Sequence, residues 1–324
     1  MAEKKVRWGV LGCAGIAERK VLPGMLHAEN AVLQALSSRG SSEKLKRFAE
    51  KFHPRKTYES YEALLDDPDV DAVYIPLPNG LHCEWVLRAA EKKKHVLCEK
   101  PLGVSVEEVR RMKAACDENG VLLMEAFAYR QSPLTQKAKS IVESGALGTV
   151  KYIESCYGYN LENEADVRLS AALHGGATYD VGCYNLNLIR YLAGAEPARV
   201  SAFGKVSEKH AVDTESCIMM EFPNGIRAVS YCSLTIFRSH RYLVIGDKGS
   251  LTVPTEFNTE GEGKILLASE GKTEELTVNC PDNYRLEIEQ FGRAVLGQEP
   301  GLISFGDSLG NAEVIENALK QIQN

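Results

Sequence analysis

The chain has 324 residues, 44% hydrophobic and 25% charged, which is the composition of a folded protein with room for about two domains. A net charge of −6 supplies no basic field for nucleic acid or an anionic membrane surface, and no run reaches the roughly 20 apolar residues of a membrane span. Nine cysteines, no two close enough to make a CxxC pair or a zinc ligand set with a neighbouring histidine, read as reduced, mostly buried thiols of a cytoplasmic protein with no metal site.

At the N-terminus, Lys4, Lys5 and Arg7 precede "VLGC" and imitate a lipoprotein signal cleaved at Cys13. A signal core needs about 7 to 15 apolar residues, and only residues 8–11 separate Arg7 from the site, so this reading is rejected. Strands are expected at 6–11, 31–37, 72–77 and 95–98, with helices between them. The clearest helix is 105–119: Ser105 and Glu108 form a capping box, Val106, Val109, Met112 and Cys116 form an apolar stripe, and Gly120 supplies the stop. This alternation predicts right-handed crossovers and a doubly wound parallel sheet of Rossmann type over residues 1–124.

Beyond residue 125 the pattern changes to long alternating segments at 149–159, 200–206, 214–222 and 226–235. "PNG" at 223–225 and "GDKG" at 246–249 read as hairpin turns, and a final helix is expected at 308–323. Residues 125–324 are therefore expected to form an α+β domain with an open, largely antiparallel sheet. No repeat, low-complexity segment or flexible linker interrupts the chain.

Three stretches carry chemistry. "GVLGCAGIAERKV" turns through Gly12, Cys13, Ala14 and Gly15 into a helix starting near Ile16, a geometry that aims unpaired amides and the positive helix end at a phosphate. The spacing Gly12, Ala14, Ala17 is the dinucleotide fingerprint with alanines at its second and third glycines. At the end of the second strand, where an NAD-selective fold places an acid, stand Ser37, Ser38 and Arg39 of "SSRGSSEK". Hydroxyls and a guanidinium suit the 2′-phosphate of NADP better than the bare diol of NAD, the alternative being a solvated loop with one arginine. The third stretch, "HVLCEKPLGV", ends an apolar strand on Glu99, Lys100 and Pro101, either as an ordinary exit to solvent or for a chemical reason.

Together with "PLPNGLH", "LMEAFAYR", "GGATYDVGCYNLNLIRYLAG" and "SLGNAEVIENAL", these motifs resemble the glucose-fructose oxidoreductase, inositol dehydrogenase and MocA family (Gfo/Idh/MocA) over almost the whole chain. The likeness is strongest to its NADP-dependent branch of dihydrodiol dehydrogenase, D-xylose dehydrogenase and glucose-fructose oxidoreductase. The resemblance implies that Lys100 is catalytic at the nicotinamide, that the Lys100-Pro101 bond is cis, and that Glu99 is structural or helps place the cofactor. It puts Leu77, Pro78 and Asn79 beneath the nicotinamide ribose, and counts His82 beside them among the cofactor contacts, structural rather than catalytic.

If one helix runs from Asp180 towards Leu192, the i, i+4 spacing of Asp180 and Tyr184 puts both on one face, and Tyr184 stands where many relatives have histidine. Hydride removal from a carbinol leaves a proton to be accepted, so Tyr184 is expected to act with a cation, Lys100, favouring its phenolate. Asp180 is expected to orient the substrate hydroxyl or hold Lys100. Phe127, Arg130 and Arg168, with Tyr184, are the expected substrate contacts. Ser132, His174 and the acidic segment 160–168 depart from the family pattern around this region.

The resulting expectation is an NADP-dependent, cytoplasmic oxidoreductase acting on a cyclic polyol, a pyranose sugar in the first instance. Relatives pair through the sheet of the second domain, which predicts a homodimer or homotetramer. Two alternatives stay open: a trans-dihydrodiol substrate held by apolar residues such as Phe127, Tyr157 and Phe237, and a non-catalytic cofactor sensor.

Overall fold

The computed structural model describes residues 4–39 and 42–323, and among these the chain forms one sheet of six strands and one of eight. They belong to two compact units, Met1–Ala128 with Asp282–Leu309, and Tyr129–Pro281 with Gly310–Asn324. None of the nine cysteines is in a disulfide, and all but the half-buried Cys217 are buried.

The first unit contains β1 (Val6–Leu11), β2 (Ala31–Ser37), β3 (Lys56–Tyr58), β4 (Ala72–Ile75), β5 (His95–Glu99) and β6 (Leu123–Ala126). Their order is β3-β2-β1-β4-β5-β6 and every neighbouring pair is parallel, which is the doubly wound arrangement. Such strands are covered on both faces, and β4 is accordingly buried at all four positions. It stops at Ile75, two residues short of the sequence expectation, because the chain runs into Pro76 and Pro78, which donate no ladder bond. By contrast β5 runs one residue further than expected, to Glu99, which pairs with Ala126.

The helix Val106–Asn119 begins as its sequence implies: Ser105 Oγ accepts the Glu108 amide at 3.2 Å, Glu108 Oε2 accepts the Val104 amide at 3.1 Å, and Gly120 closes the other end at φ +65°. Sequence order does not reveal that residues 282–309 return to this unit. The helix Asn283–Val295 buries Ile288, Phe291 and Ala294, with the Phe291 ring 5.5 Å from that of Trp8 in β1. Asn30 fastens it by donating to the Glu289 carbonyl at 2.8 Å.

The second unit holds β7 (Val150–Asn160), β8 (Arg199–Val206), β9 (Asp213–Glu221), β10 (Arg227–Ser233), β11 (Thr235–Gly246), β12 (Gly249–Val253), β13 (Gly261–Ser269) and β14 (Lys272–Cys280), in the order β14-β13-β12-β11-β7-β10-β9-β8. The two expected hairpins, β9/β10 and β11/β12, are antiparallel neighbours. One central pair, β7/β10, is parallel, because a helix and two strands intervene in the chain between them.

The helix Cys183–Ala193 is buried at every position except Tyr191, so its polar residues must find partners inside. Asn185 accepts from Ser155 Oγ at 2.7 Å and donates to the Tyr231 carbonyl at 2.9 Å. Asn187 accepts from Tyr129 Oη at 2.6 Å and Arg130 Nη1 at 3.1 Å.

Arg130 is thus corrected from a substrate contact to a packing residue: it is 6% exposed and its guanidinium lies 3.6 Å from the Tyr191 ring centroid. Ser132 caps the helix Pro133–Glu143, accepting the Leu134 amide at 3.3 Å. Phe291→Ala should destabilise the first unit by about 3–5 kcal/mol, read as a lower urea midpoint for the unit's unfolding, because it removes the ring that joins the returning helix to β1. An unchanged midpoint would show that this contact adds little.

Candidate active site

In the first unit the turn after β1 places Gly12 at φ +111°, where a Cβ would come within 3.0 Å of Leu77 Cδ2 and 3.3 Å of Tyr61 Oη. A side chain here would strain the backbone and crowd both neighbours. The amides of Cys13, Ala14, Gly15 and Ile16 meet no protein acceptor among the described residues, so the turn offers a row of donors. Cys13 is 4% exposed and burial pushes its thiol pKa up, leaving its backbone as the group presented outward. These features fit a dinucleotide pyrophosphate.

At the end of β2 one expectation is corrected: the Ser37 side chain is fully buried and its hydroxyl donates to the Val10 carbonyl at 3.1 Å, which turns it away from any phosphate. Ser38 is 8% exposed, whereas Arg39 is exposed. The Arg39 guanidinium lies 5.6 Å from the Tyr61 ring and 5.8 Å from the Trp85 ring, and these rings meet edge to face at 4.8 Å. The aromatic pair restricts the arginine in advance of binding. Sequence reasoning missed both rings, since nothing local links them to Arg39. Gly40 and Ser41 of the same loop lie outside the described residues.

At the end of β5, Lys100-Pro101 is a cis peptide bond. Tyr74 Oη donates to Glu99 Oε1 at 2.5 Å, and Glu99 Oε2 accepts the Lys100 amide at 3.3 Å. The strand therefore ends on an acid whose carboxylate is fastened within the unit. The next turn is pinned by Glu125, 2% exposed, which accepts the Leu102 amide at 2.9 Å. His82 is fully buried, with Nδ1 2.9 Å from the Pro101 carbonyl and Nε2 2.7 Å from the Leu77 carbonyl. Burial, reinforced by the Lys100 charge, lowers its pKa. His82 is accordingly corrected from a cofactor contact to a tie between the Lys100 turn and the half-buried loop of Leu77, Pro78 and Asn79.

Beneath Glu99, the returning helix contributes Glu287, which the sequence did not single out. It is 2% exposed; burial and, second, the Glu99 charge push its pKa well above the usual carboxylate range. Burial this deep disfavours the charged carboxylate, so Glu287 is a neutral acid.

In the second unit the expected single helix is divided into a π turn, Thr178–Gly182, followed by the α-helix Cys183–Ala193. Asp180 lies in the π turn and Tyr184 in the first turn of the α-helix, each 9% exposed. Asp180 Oδ2 accepts from Tyr159 Oη at 2.7 Å and pairs with Arg168 Nε at 2.8 Å. Burial and the Asp180 charge raise the Tyr159 pKa, so its phenol stays protonated as a donor. The Asp180 charge in turn raises the Arg168 pKa and keeps it a cation. Tyr159 was missed as a site residue, although it shares a β7 face with Tyr157 at period two.

The Tyr184 ring sits 5.8 Å from Tyr129, 5.7 Å from Tyr157 and 5.3 Å from Phe257, and the Tyr157 and His240 ring centroids lie 3.9 Å apart with the planes tilted by 44°. Of the residues expected around a dihydrodiol, Phe237 is 92% exposed and Phe127 only 1%. His174 takes a left-handed conformation, φ +53°, at the end of a 3-10 turn.

Residues 6–127 match the oxidoreductase family with an NAD-binding Rossmann fold (GFO_IDH_MocA), and residues 135–252 match the GFO/IDH/MocA C-terminal domain. Similar curated proteins include an NADP(+)-dependent D-xylose 1-dehydrogenase of Haloferax volcanii, 38% identical over 90% of each chain. A trans-1,2-dihydrobenzene-1,2-diol dehydrogenase of Sus scrofa is 33% identical over 98% of this chain and 97% of its own. Among solved structures, the 3-ketoreductase KijD10 from Actinomadura kijaniata, in complex with NADP and TDP-benzene, superposes with a TM-score of 0.92 at 28% identity, covering 98% of both chains.

The buried Glu287 makes a measurable prediction. With a raised folded pKa, Glu287 costs stability once pH exceeds its unfolded value of about 4.3, where the unfolded chain ionises and the folded one does not. Glu287→Gln should therefore raise the melting temperature at pH 8, with the gain fading towards about pH 4. Equal destabilisation at both pH values would contradict the neutral-acid assignment.

Proposed function

Because the chain belongs to the Gfo/Idh/MocA family of oxidoreductases, we propose that it moves hydride between NADP and a secondary alcohol or ketone of a cyclic polyol, with a pyranose sugar as substrate. The observation that carries the substrate class is the Asp180 carboxylate, fixed by Tyr159 and Arg168 four residues before Tyr184. A charged, oriented acceptor next to a phenol suits a ring bearing several hydroxyls. NADP, when bound, supplies or accepts the hydride at the nicotinamide C4.

The chain's own residues divide the remaining work. The amides of residues 13–16 hold the pyrophosphate, Arg39 with Ser38 holds the 2′-phosphate, and the loop of Leu77, Pro78 and Asn79 supports the nicotinamide ribose. Tyr184 takes the carbinol proton in oxidation and returns it in reduction. Lys100 stabilises charge developing on the substrate oxygen, and Asp180 orients the hydroxyl. A second reading, a trans-dihydrodiol substrate, is favoured by the rings of Tyr129, Tyr157 and Phe257 around Tyr184.

We further place the protein in the cytoplasm, where its nine free thiols stay reduced. It assembles as a homodimer or homotetramer through the open face of the second sheet. Phe203 and Met219, 66% and 42% exposed, share that face, since Phe203 pairs with Cys217 and Met219 with Ser201.

The deciding experiment follows nicotinamide absorbance with NADP or NAD across free sugars, inositols, glycosides and a trans-dihydrodiol. Turnover of one sugar group with NADP is expected, falling at least about 100-fold in Lys100→Met. Turnover confined to the dihydrodiol would select the second reading, and turnover indifferent to Lys100 would refute the mechanism. Arg39→Ala should raise the KM for NADP roughly 10- to 100-fold, the loss of one charge-assisted contact, with that for NAD unchanged. Equal losses for both cofactors would remove Arg39 from 2′-phosphate recognition.

A further inference from the structure

Asp213 is the first residue of β9 and is 2% exposed, yet it lies outside every motif that the sequence singles out. Its Oδ2 accepts both the backbone amide and the hydroxyl of Thr178, each at 2.7 Å. Thr178 opens the π turn, and that turn has no side-chain cap from its own N-cap residue, Ala177. The amide at the start of the turn is therefore satisfied from a strand 35 residues further along the chain. Burial pushes the Asp213 pKa up while the Thr178 donors pull it down, as expected of a carboxylate whose bonds must offset its desolvation.

The contact continues through the turn. Thr178 Oγ1 lies 2.9 Å from Ser216 Oγ, which lies 3.1 Å from Cys232 Sγ. That sulfur sits 3.0 Å from where a Cβ on Gly182, the last residue of the turn, would stand. On the other side, Gly176 at φ +119° leaves room for the carboxylate, because a Cβ there would come within 2.1 Å of Asp213 Oδ1. The first and last residues of the π turn are thus both gauged against β9 and β10. A π turn is a rare insertion that persists only where its surroundings impose it. Sliding it into α register would shift the helix by one residue, about 100° and 1.5 Å, and carry Asp180 away from Tyr159 and Arg168.

We propose that Asp213 is a positioning residue that holds the π turn in register and so aims Asp180 at the substrate hydroxyl. This rests on the reading that Asp180 and Tyr184 serve the hydride-transfer reaction. Asp213 touches no reacting group itself and acts through Thr178.

The test combines amide hydrogen exchange on the whole protein with steady-state kinetics using D-xylose and NADP. Asp213→Asn and Thr178→Val are expected to speed exchange across residues 178–184 and to lower kcat roughly 10- to 100-fold, with the KM for NADP unchanged. Thr178→Ser, which keeps the hydroxyl, should rescue both properties. In an Asp180→Asn background the Asp213→Asn change should cost little more, because the two act in series. Wild-type exchange and kcat in Asp213→Asn and Thr178→Val, or fully additive losses with Asp180→Asn, would overturn the proposal. Should Asp180→Asn itself keep wild-type turnover, or D-xylose not react, the catalytic reading rather than the turn would be at fault, and exchange over 178–184 would still decide whether Asp213 holds the register.

Discussion

A polar group withdrawn from water must find a partner inside the fold, and this constraint shapes both units. Asp180 is tolerable at 9% exposure because Tyr159 and Arg168 converge on one of its oxygens. Glu99 is tolerable at the end of an apolar strand because Tyr74 and the Lys100 amide take its two oxygens. The same requirement turns Asn185, Asn187 and Arg130 into a buried lattice along the helix that carries Tyr184. Residues able to do chemistry are thereby immobilised by neighbours that do none, which is the preorganisation that proton transfer and charge stabilisation need.

Charge is apportioned by the same means. Glu287 stays protonated, because burial and, second, the Glu99 charge push its pKa well above the usual carboxylate range. Tyr159 is held protonated by burial and by the Asp180 charge, which makes it a donor to that carboxylate. Arg39 remains an exposed cation, steadied on two rings in place of an acid. A 2′-phosphate would meet a guanidinium whose freedom is already reduced, so less entropy is lost on binding.

Much of this was legible from residues alone. Alternating apolar runs and helix caps place all four expected strands of the first sheet, because parallel strands buried on both faces need continuous hydrophobic stretches. The turn at residues 12–16 and the acid-base-proline end of β5 are visible because their chemistry is concentrated within a few consecutive positions. The hairpins around Gly225 and residues 246–249 announce themselves through turn residues. Ser37 and Arg130 were misread because identity shows what a side chain can do but not which way it points.

The sequence by itself determined the two kinds of sheet and the glycine turn at residues 12–16, since each depends on local periodicity or on a contiguous motif, while Lys100, Asp180 and Tyr184 were singled out through the family resemblance of their motifs. Only the tertiary structure decided the return of residues 282–309 to the first unit, the parallel pairing of β7 with β10, and the partners that set each charge. Tyr159 meets Asp180 across 21 residues, and Asp213 meets Thr178 across 35. Contacts of that span leave no periodic trace in the chain, because they are selected by the packing of whole elements and not by the propensities of neighbouring residues.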